Sequence, residues 1–200
     1  MQHNIVSITF SIILLGSLNC TAGTQASNIS RSPMEIQSLE GHISINGETV
    51  NQPKHTFESG LIEAHGESGV VTVSYLDGDT LSLKNGKANI DFAEADSVMA
   101  MMGNNRPPEL NLNLRLITLE SGVINFQLRP RKELSKVSYH LFYNGKEIHF
   151  KDADLSLNHK NGGLLTVSRG NATIVNQNPT TGGQPSKVEA GTTININTVE

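Results

Sequence analysis

Few side chains in this sequence have the spacing that catalysis requires. Residues 66–70 (GESGV) begin like the G-x-S-x-G turn that exposes a nucleophilic serine, but the fifth residue is Val70. The flanking residues also lack the strand-to-helix order of that turn. No HExxH, Walker A or GxGxxG pattern occurs. We therefore predict a protein that is not an enzyme and has no catalytic residues.

The histidines do not form a recognisable metal-binding pattern. There are seven, among them His140, His149 and His159, and no two have the i, i+2 spacing that places ligands on one face of a strand. The sequence therefore predicts scattered histidines that lie on the surface or are satisfied by their surroundings, with no metal and no cofactor.

Other groups that could bind ions also have simpler interpretations. Carboxylates lie close together at residues 77–79 (DGD) and 151–154 (KDAD), but the calcium pattern D-x-D-x-D-G with its distal Glu is missing, so turn-forming Asp is favoured. The methionines of residues 99–102 (MAMM) suit Cu(I), yet their helical spacing is more typical of core packing. Residues 129–132 (RPRK) are interpreted as a solvated basic loop.

Cys20 is the single cysteine, so the chain can form no internal disulfide and no cysteine-based zinc cluster. It follows an apolar run, residues 5–18, which is too short to span a bilayer and has the length of a signal-peptide core. Residues 17–19 (SLN) form an imperfect lipobox. Cys20 is thus either the acylated residue of a bacterial lipoprotein or part of a cleaved signal.

These features predict an exported protein. We expect a signal peptide over residues 1–22, ending at Cys20 in the lipoprotein case, and a flexible tether over residues 23–36, which are small, polar and contain proline. The protein would lie in the periplasm, or at the outer membrane or surface, of a bacterium. Membrane contact is expected only through the signal peptide or a lipid anchor.

The length and composition are typical of one folded domain, or two small ones, of modest charge. The 200 residues carry 15 Lys and Arg against 19 Asp and Glu, a formal charge of −4, which excludes an electrostatic nucleic-acid binder. The length is sufficient for a real hydrophobic core.

From residue 36 onward, apolar and polar side chains alternate with a period of two. Such alternation gives each strand one buried and one wet face, which is typical of antiparallel sheets. The alternating apolar positions are Ile43 and Ile45; Val71, Val73 and Tyr75; Leu81 and Leu83; Leu110, Leu112, Leu114 and Leu116; Ile124, Phe126 and Leu128; Val137, Tyr139, Leu141 and Tyr143; Ile148 and Phe150; Leu155 and Leu157; Leu165 and Val167; Ala172 and Ile174; and Ile194 and Ile196.

Residue pairs typical of tight turns lie between these runs and supply positive φ angles. They are Asn46-Gly47, Asp77-Gly78, Asn85-Gly86, Asn144-Gly145 and Asn161-Gly162-Gly163. The sequence therefore predicts an all-β fold, an antiparallel β-sandwich, jelly roll or β-roll. Residues 91–103 interrupt the pattern with a capping box and helical spacing, which predicts one short helix or an ordered loop joining two β halves, residues 37–90 and 109–199.

An ordered series of segments resembles the FecR-type domain family. Residues 39–47 (LEGHISING), 57–62 (FESGLI), 66–73 (GESGVVTV) and 75–83 (YLDGDTLSL) match its first half in order. The second half is similar at three segments. They are residues 119–126 (LESGVINF), 164–174 (LLTVSRGNATI) and 188–194 (VEAGTTI). The chain departs from the family at residues 152–155 (DADL), where Gly-Thr-x-Phe is usual, and at Thr192, where Gln is usual.

The resemblance implies a FecR-like β-domain over residues 37–199 and brings no active site with it. Full-length FecR proteins have a cytoplasmic anti-sigma region before a membrane helix. Because the apolar segment here begins at Ile5, we expect a version exported by itself.

We therefore predict an exported, non-enzymatic envelope protein that acts as a binding or scaffold module for a protein or an envelope polymer. Its exposed strand edges are the expected docking surface. Two alternatives stay open at this point. One is a signal-sensing partner of a membrane transducer, and the other is a polysaccharide-active enzyme on a β-scaffold.

Overall fold

A computed structural model describes residues 33–94, 113–130, 137–176 and 184–199. Within these ranges the chain is almost wholly β-strand. None of the helical turns in these ranges has the length and hydropathy needed to cross a bilayer. The strands are β1 (Met34–Ile45), β2 (Glu48–Val50), β3 (Thr56–Phe57), β4 (Gly60–Tyr75), β5 (Thr80–Glu94), β6 (Asn113–Gln127), β7 (Val137–Tyr143), β8 (Lys146–Phe150), β9 (Asp154–Asn158), β10 (Leu164–Arg169), β11 (Asn171–Asn176), β12 (Ser186–Glu189) and β13 (Thr192–Asn195), with short 3₁₀ turns at His159–Asn161 and Ile196–Thr198.

The all-β prediction is confirmed, and the sheet divides in two at β6. Strands β2, β1, β4, β5 and β6 lie side by side. Residues 113–118 of β6 pair in parallel with β7, whereas residues 123–126 pair antiparallel with β9. One branch continues as β7-β8-β11-β12 and the other as β9-β10-β13. Because inward side chains from both branches join one hydrophobic cluster, the result is an open, sandwich-like fold.

Alternation correctly identifies most inward faces, including Val71, Val73, Leu81 and Leu83, which are fully buried. Near the start of β6, however, the prediction of which side chains point inward is wrong. Arg115 lies on the buried face, while Leu116 is half-buried on the outer face. The reason is a set of buried polar partners for the guanidinium, which the sequence pattern does not reveal.

The two predicted halves form one continuous sheet. β5 and β6 pair along their length, from Thr80↔Gln127 to Glu94↔Asn113. Residues 91–94 extend β5 within this ladder, so the predicted helix does not begin at residue 91. The rest of that segment, residues 95–103 with the three methionines, lies outside the described residues.

The boundary predicted for the tether also shifts. β1 begins at Met34, and both Met34 and Ile36 are fully buried, so residues 34–36 belong to the domain. The predicted signal peptide, Cys20 and residues 23–32 of the tether lie outside the described residues.

Most predicted turn pairs connect hairpins. Asn46 and Asn144 adopt positive φ values of 52° and 47° between adjacent paired strands. Asn85-Gly86 is different, because it lies inside β5, where the pairing with β6 shifts register between Lys84 and Lys87. This pair forms a bulge and does not turn the chain back on itself.

The bulge requires a close approach of two backbones. A Cβ atom on Gly86 would lie 2.1 Å from the carbonyl oxygen of Ser121, and one on Gly122 would lie 2.5 Å from that of Lys84. Pairing in the adjacent β4–β5 ladder shifts register between Ala64 and Val70. The long strands therefore bend together in this region, and the outer face continues onto β9, β10 and β13.

Candidate functional site

An unbroken row of small, uncharged polar side chains crosses the outer face of the sheet. Each member lies directly opposite the next in the strand register, one residue from each of seven strands. We call this set the polar row. Its members are Ser38 of β1, Thr72 of β4, Ser82 of β5, Asn125 of β6, Ser156 of β9, Thr166 of β10 and Thr193 of β13.

The polar row is held in place by the core beneath it. In five of its strands the row residue lies between two apolar neighbours that point inward, and none of those neighbours is more than 2% exposed. They are Val71, Val73, Leu81, Leu83, Ile124, Phe126, Leu155, Leu157, Leu165 and Val167. Since successive strand side chains point to opposite faces, these anchored neighbours fix the direction of the row.

The middle of the polar row lines a groove of about 460 Å³. Asn125 Nδ2 donates a hydrogen bond to Ser82 Oγ at 3.2 Å, and the hydroxyls of Thr166 and Thr193 lie 3.0 Å apart. The rim adds Thr80, Gln127 and Ser168 among other residues. Hydroxyl and amide groups both donate and accept hydrogen bonds, so the groove suits a neutral polar ligand.

Asp154 is the charged residue in the lining of the groove. Arg169 neutralises it, with Nε 2.8 Å from Oδ2 and Nη2 2.9 Å from Oδ1. The Leu128 N–H also donates to Oδ1, at 2.7 Å. Arg169 foremost, with the Leu128 N–H, outweighs partial burial and holds the pKa of Asp154 below its usual range. The lining therefore supplies no pair of carboxylates for acid–base catalysis.

A second group of functional side chains lies on the outer face of the β7–β8 hairpin. His140 Nδ1 and His149 Nε2 each lie 2.7 Å from Oε1 of Glu147. The two imidazole rings are 4.3 Å apart between centroids and tilted by 45°. Burial opposes the charge on Glu147, but the two histidines outweigh it and hold the pKa of this carboxyl well below its usual range.

The prediction of scattered histidines is therefore wrong for two cross-strand pairs. His140 lies opposite His149, and His42 lies opposite His65 with ring centroids 5.1 Å apart. A signal for the first pair is present in the sequence. Counting outward from the Asn144-Gly145 turn pairs residue 140 with residue 149, and Glu147 is two residues from His149 on the same face.

The Asp77-Gly78-Asp79 turn supports a buried charge cluster. The side chain of Asp77 accepts from the backbone N–H of Asp79, as a turn-forming Asp does. Arg115 lies 2.7 Å from Asp77 and 3.2 Å from the fully buried Asp79, and its guanidinium stacks 3.9 Å from the Tyr75 ring centroid. Tyr139 donates to Asp79 at 2.5 Å. Asp79 and Arg115 are buried within this cluster, which links the β4–β5 turn to β6 and β7.

The remaining predicted positions do not assemble into a site. Ser68 is exposed in the bent part of β4, with Gly69 packed against the backbone of residues 64 and 65. Arg129 is exposed, whereas Arg131 and Lys132 lie outside the described residues, as does Cys20.

Comparisons with known proteins identify structural neighbours only. No family model and no curated protein matches the chain. Two solved structures of a proposed anti-sigma factor from Parabacteroides distasonis are similar to it. The first, determined at 1.65 Å resolution, is 10% identical, covers 70% of this chain and 57% of that chain, and has a TM-score of 0.45. The second, at 2.50 Å, is 9% identical, covers 72% and 53%, and has a TM-score of 0.34. The chain thus spans little more than half of either neighbour.

Proposed function

We propose that this protein is an exported, non-enzymatic binding module of the FecR-like type, which holds a neutral, polyhydroxylated envelope polymer across the polar row. The observation that carries the proposal is the row itself, in which seven strands in register each present one uncharged polar side chain.

The dimensions of the polar row favour a polymer over a small molecule. Neighbouring strands lie about 4.8 Å apart, so the six steps of the row extend over about 29 Å. Hydrogen-bonding groups repeat at this spacing from strand to strand along the row. An extended glycan strand presents hydroxyl groups along its length, and the row can donate to them and accept from them at several successive strands.

Surface chemistry favours a glycan over a protein partner at this face. Stable protein interfaces usually have an apolar or aromatic centre. Among the described residues, Leu76 is the exposed large hydrophobic side chain, and it lies in the β4–β5 turn and not in the groove. The groove lining combines hydroxyl and amide groups with one ion-paired carboxylate, which matches a neutral carbohydrate.

Strand edges are a less suitable binding surface than the face of the sheet. The described terminal strands are short, with three residues in β2 and four each in β12 and β13. Partner strands bind an edge through a run of backbone hydrogen bonds, and short edge strands provide few of them. We therefore place binding on the face of the sheet and not on its edges.

Binding is tested with an array of neutral glycans, followed by calorimetry on the best ligand. Thr72→Val and Thr166→Val remove one hydroxyl each while keeping the shape of the side chain, and Thr118→Val on the outer face of β6, outside the row, is the matched control. Since each hydrogen bond contributes about 1 kcal/mol, we expect a several-fold loss of affinity per row variant and no change in the control.

Two results would contradict the proposal. Equal affinity of the two row variants and the wild type would remove the polar row from the binding site. Release of reducing ends from a bound glycan would show turnover and favour a polysaccharide-active enzyme.

Export and lipidation are parts of the same proposal. Residues 1–22 serve as the signal, and Cys20 is either acylated or removed. Labelled palmitate is added to cells that express the wild type or Cys20→Ala, and the cells are then fractionated. Label in the wild type alone supports the lipoprotein, unlabelled protein in the periplasm or medium supports the cleaved signal, and unlabelled protein in the cytoplasm contradicts export.

A further inference from the structure

We propose that His140, Glu147 and His149 form a binding site for a divalent transition-metal ion of the zinc class. The site lies on β7 and β8, away from the strands that line the groove, so this inference does not rest on the proposed function. It replaces the expectation from sequence that the protein has no metal ligands.

The three donor atoms already converge. Nδ1 of His140 and Nε2 of His149 each lie 2.7 Å from the same carboxylate oxygen, Oε1 of Glu147, and all three lie within 4.8 Å of one another. Two imidazoles and one carboxylate are a common set of protein ligands for zinc, with water completing a tetrahedron. The sheet thus presents three of four ligands without any backbone movement.

The backbone that presents these donors is firmly anchored. His140 and His149 are directly paired across the β7–β8 hairpin, and β8 is covered on its other side by β11. The inward neighbours Leu141 and Ile148 are fully buried. Ligands on rigid strands lose little conformational entropy when they bind an ion, which favours metal affinity.

One nitrogen of the cluster lacks a properly aligned partner. Nε2 of His149 is buried and makes no hydrogen bond of acceptable geometry, although it lies 2.7 Å from Glu147. The distance is that of a close polar contact, but the orientation gains little from hydrogen bonding. A metal ion between the two residues would satisfy this nitrogen directly.

The required adjustment is small. Zinc bonds to nitrogen and oxygen of about 2.0–2.2 Å place tetrahedral ligands about 3.4 Å apart. The contacts of 2.7 Å therefore need to open by less than 1 Å, which side-chain rotation can supply. His140 and Glu147 are 18% and 19% exposed and His149 is 37% exposed, so the three side chains lie next to solvent, and the same small rotation that opens the contacts would uncover the buried Nε2 of His149 to an ion.

The donor set also indicates which ions are excluded. Mg²⁺ and Ca²⁺ prefer six or more oxygen ligands, and this cluster offers a single carboxylate. Imidazole nitrogen suits Zn²⁺ and its late first-row neighbours. Binding therefore should be selective for zinc over magnesium.

The test is a titration of the purified full chain with Zn²⁺ by calorimetry, with Mg²⁺ as a second probe. We expect one zinc ion per chain and no heat with magnesium. His140→Ala and His149→Ala should each weaken zinc binding by at least tenfold, and Glu147→Gln, which keeps the size of the side chain, should do the same. His42→Ala removes a histidine from the other cross-strand pair and is the matched control.

Two further measurements separate ligand loss from unfolding. Circular dichroism should show the same β content in all variants, and zinc should raise the melting temperature of the wild type and of His42→Ala but not of His140→Ala. Cobalt substitution should give the visible absorption bands of a four-coordinate site in the wild type, and these bands should be absent in Glu147→Gln.

The proposal is overturned if the folded wild type binds no zinc. It is also overturned if folded His140→Ala and His149→Ala bind zinc as tightly as the wild type, since the ion would then lie elsewhere. Equal binding of magnesium would contradict the assignment to a transition metal.

Discussion

Buried polar side chains hold the sheet together near the β4–β5 turn. Arg115 is only 5% exposed and contacts Asp77, Asp79, Tyr75 and Tyr139. Burial, opposed by Arg115, raises the pKa of Tyr139 above its usual range, so its hydroxyl stays a neutral donor to Asp79. Each charge in the cluster depends on its partners, because an unpaired buried charge is costly.

Replacing Arg115 should therefore destabilise the protein strongly. Arg115→Met keeps an apolar stem but removes the guanidinium that lies 3.2 Å from the fully buried Asp79. We expect a loss of about 3–5 kcal/mol in the free energy of unfolding, measured by urea denaturation. Lys84→Met, at an exposed position of β5, should change it by less than about 0.5 kcal/mol. A loss below about 1 kcal/mol for Arg115→Met would contradict the role of the cluster.

The Asp154–Arg169 pair predicts a pH-dependent stability. The pKa of Asp154 is lowered in the folded protein, so the carboxylate stabilises the fold above its unfolded pKa of about 3.9. That stabilisation is lost as the pH falls through the lower, folded pKa. At pH 7, Asp154→Asn should be less stable by about 1–2 kcal/mol, since the pair is partly exposed. The difference from wild type should shrink below about pH 4 in denaturation curves recorded from pH 7 to pH 2, and a constant difference would contradict this account.

At the scale of elements, glycines allow the long strands to bend. Gly86 in β5 and Gly122 in β6 approach each other so closely that neither has room for a Cβ atom. The register shift between Lys84 and Lys87 lies at the same level. The bend separates the part of β6 that pairs with β7 from the part that pairs with β9, and so permits the sheet to divide.

Gly86→Ala tests this bend. The added Cβ would lie 2.1 Å from the carbonyl oxygen of Ser121, and backbone atoms cannot yield as a flexible side chain can. We expect a loss of about 1–3 kcal/mol in the free energy of unfolding by chemical denaturation. Asn89→Ala, exposed on the same strand, is the control and should have little effect. If Gly86→Ala has the same free energy of unfolding as the wild type, β5 and β6 can move apart at this point without loss of stability.

At the scale of the whole molecule, β6 connects the β1–β5 part of the sheet to both of its branches. Phe126 contacts the rings of Tyr139 in β7 and Phe150 in β8, at 5.8 Å and 5.0 Å between centroids. The same strand pairs with β5 and β9. The two halves predicted from sequence therefore share one core and should unfold together.

A single cooperative transition is the expected result for the purified protein. Calorimetric and van't Hoff enthalpies should agree, and circular dichroism should report the same midpoint. Phe126→Ala should lower the free energy of unfolding by about 3–5 kcal/mol and shift the whole transition. Two separate transitions in the wild type would mean that the halves fold independently.

The sequence by itself determined the class of fold and most of the inward-facing residues. Apolar alternation placed residues such as Leu81 and Leu83 correctly, because a strand's period of two depends only on local geometry. Asn-Gly pairs likewise marked hairpins at residues 46–47 and 144–145. Local signals were misleading at residues 91–94, where pairing with β6 extends β5 beyond the capping-box pattern.

Only the tertiary structure decided which distant side chains meet. The polar row joins residues from Ser38 to Thr193, and the cluster of His140, Glu147 and His149 depends on hairpin register. Arg115 was expected on the solvent-exposed face. It is buried because its partner Asp79, which accepts hydrogen bonds from both Arg115 and Tyr139, lies on the inner face. The sequence gives each strand its two faces, but the order of strands and their register depend on long-range pairing, and it is this pairing that places the candidate sites.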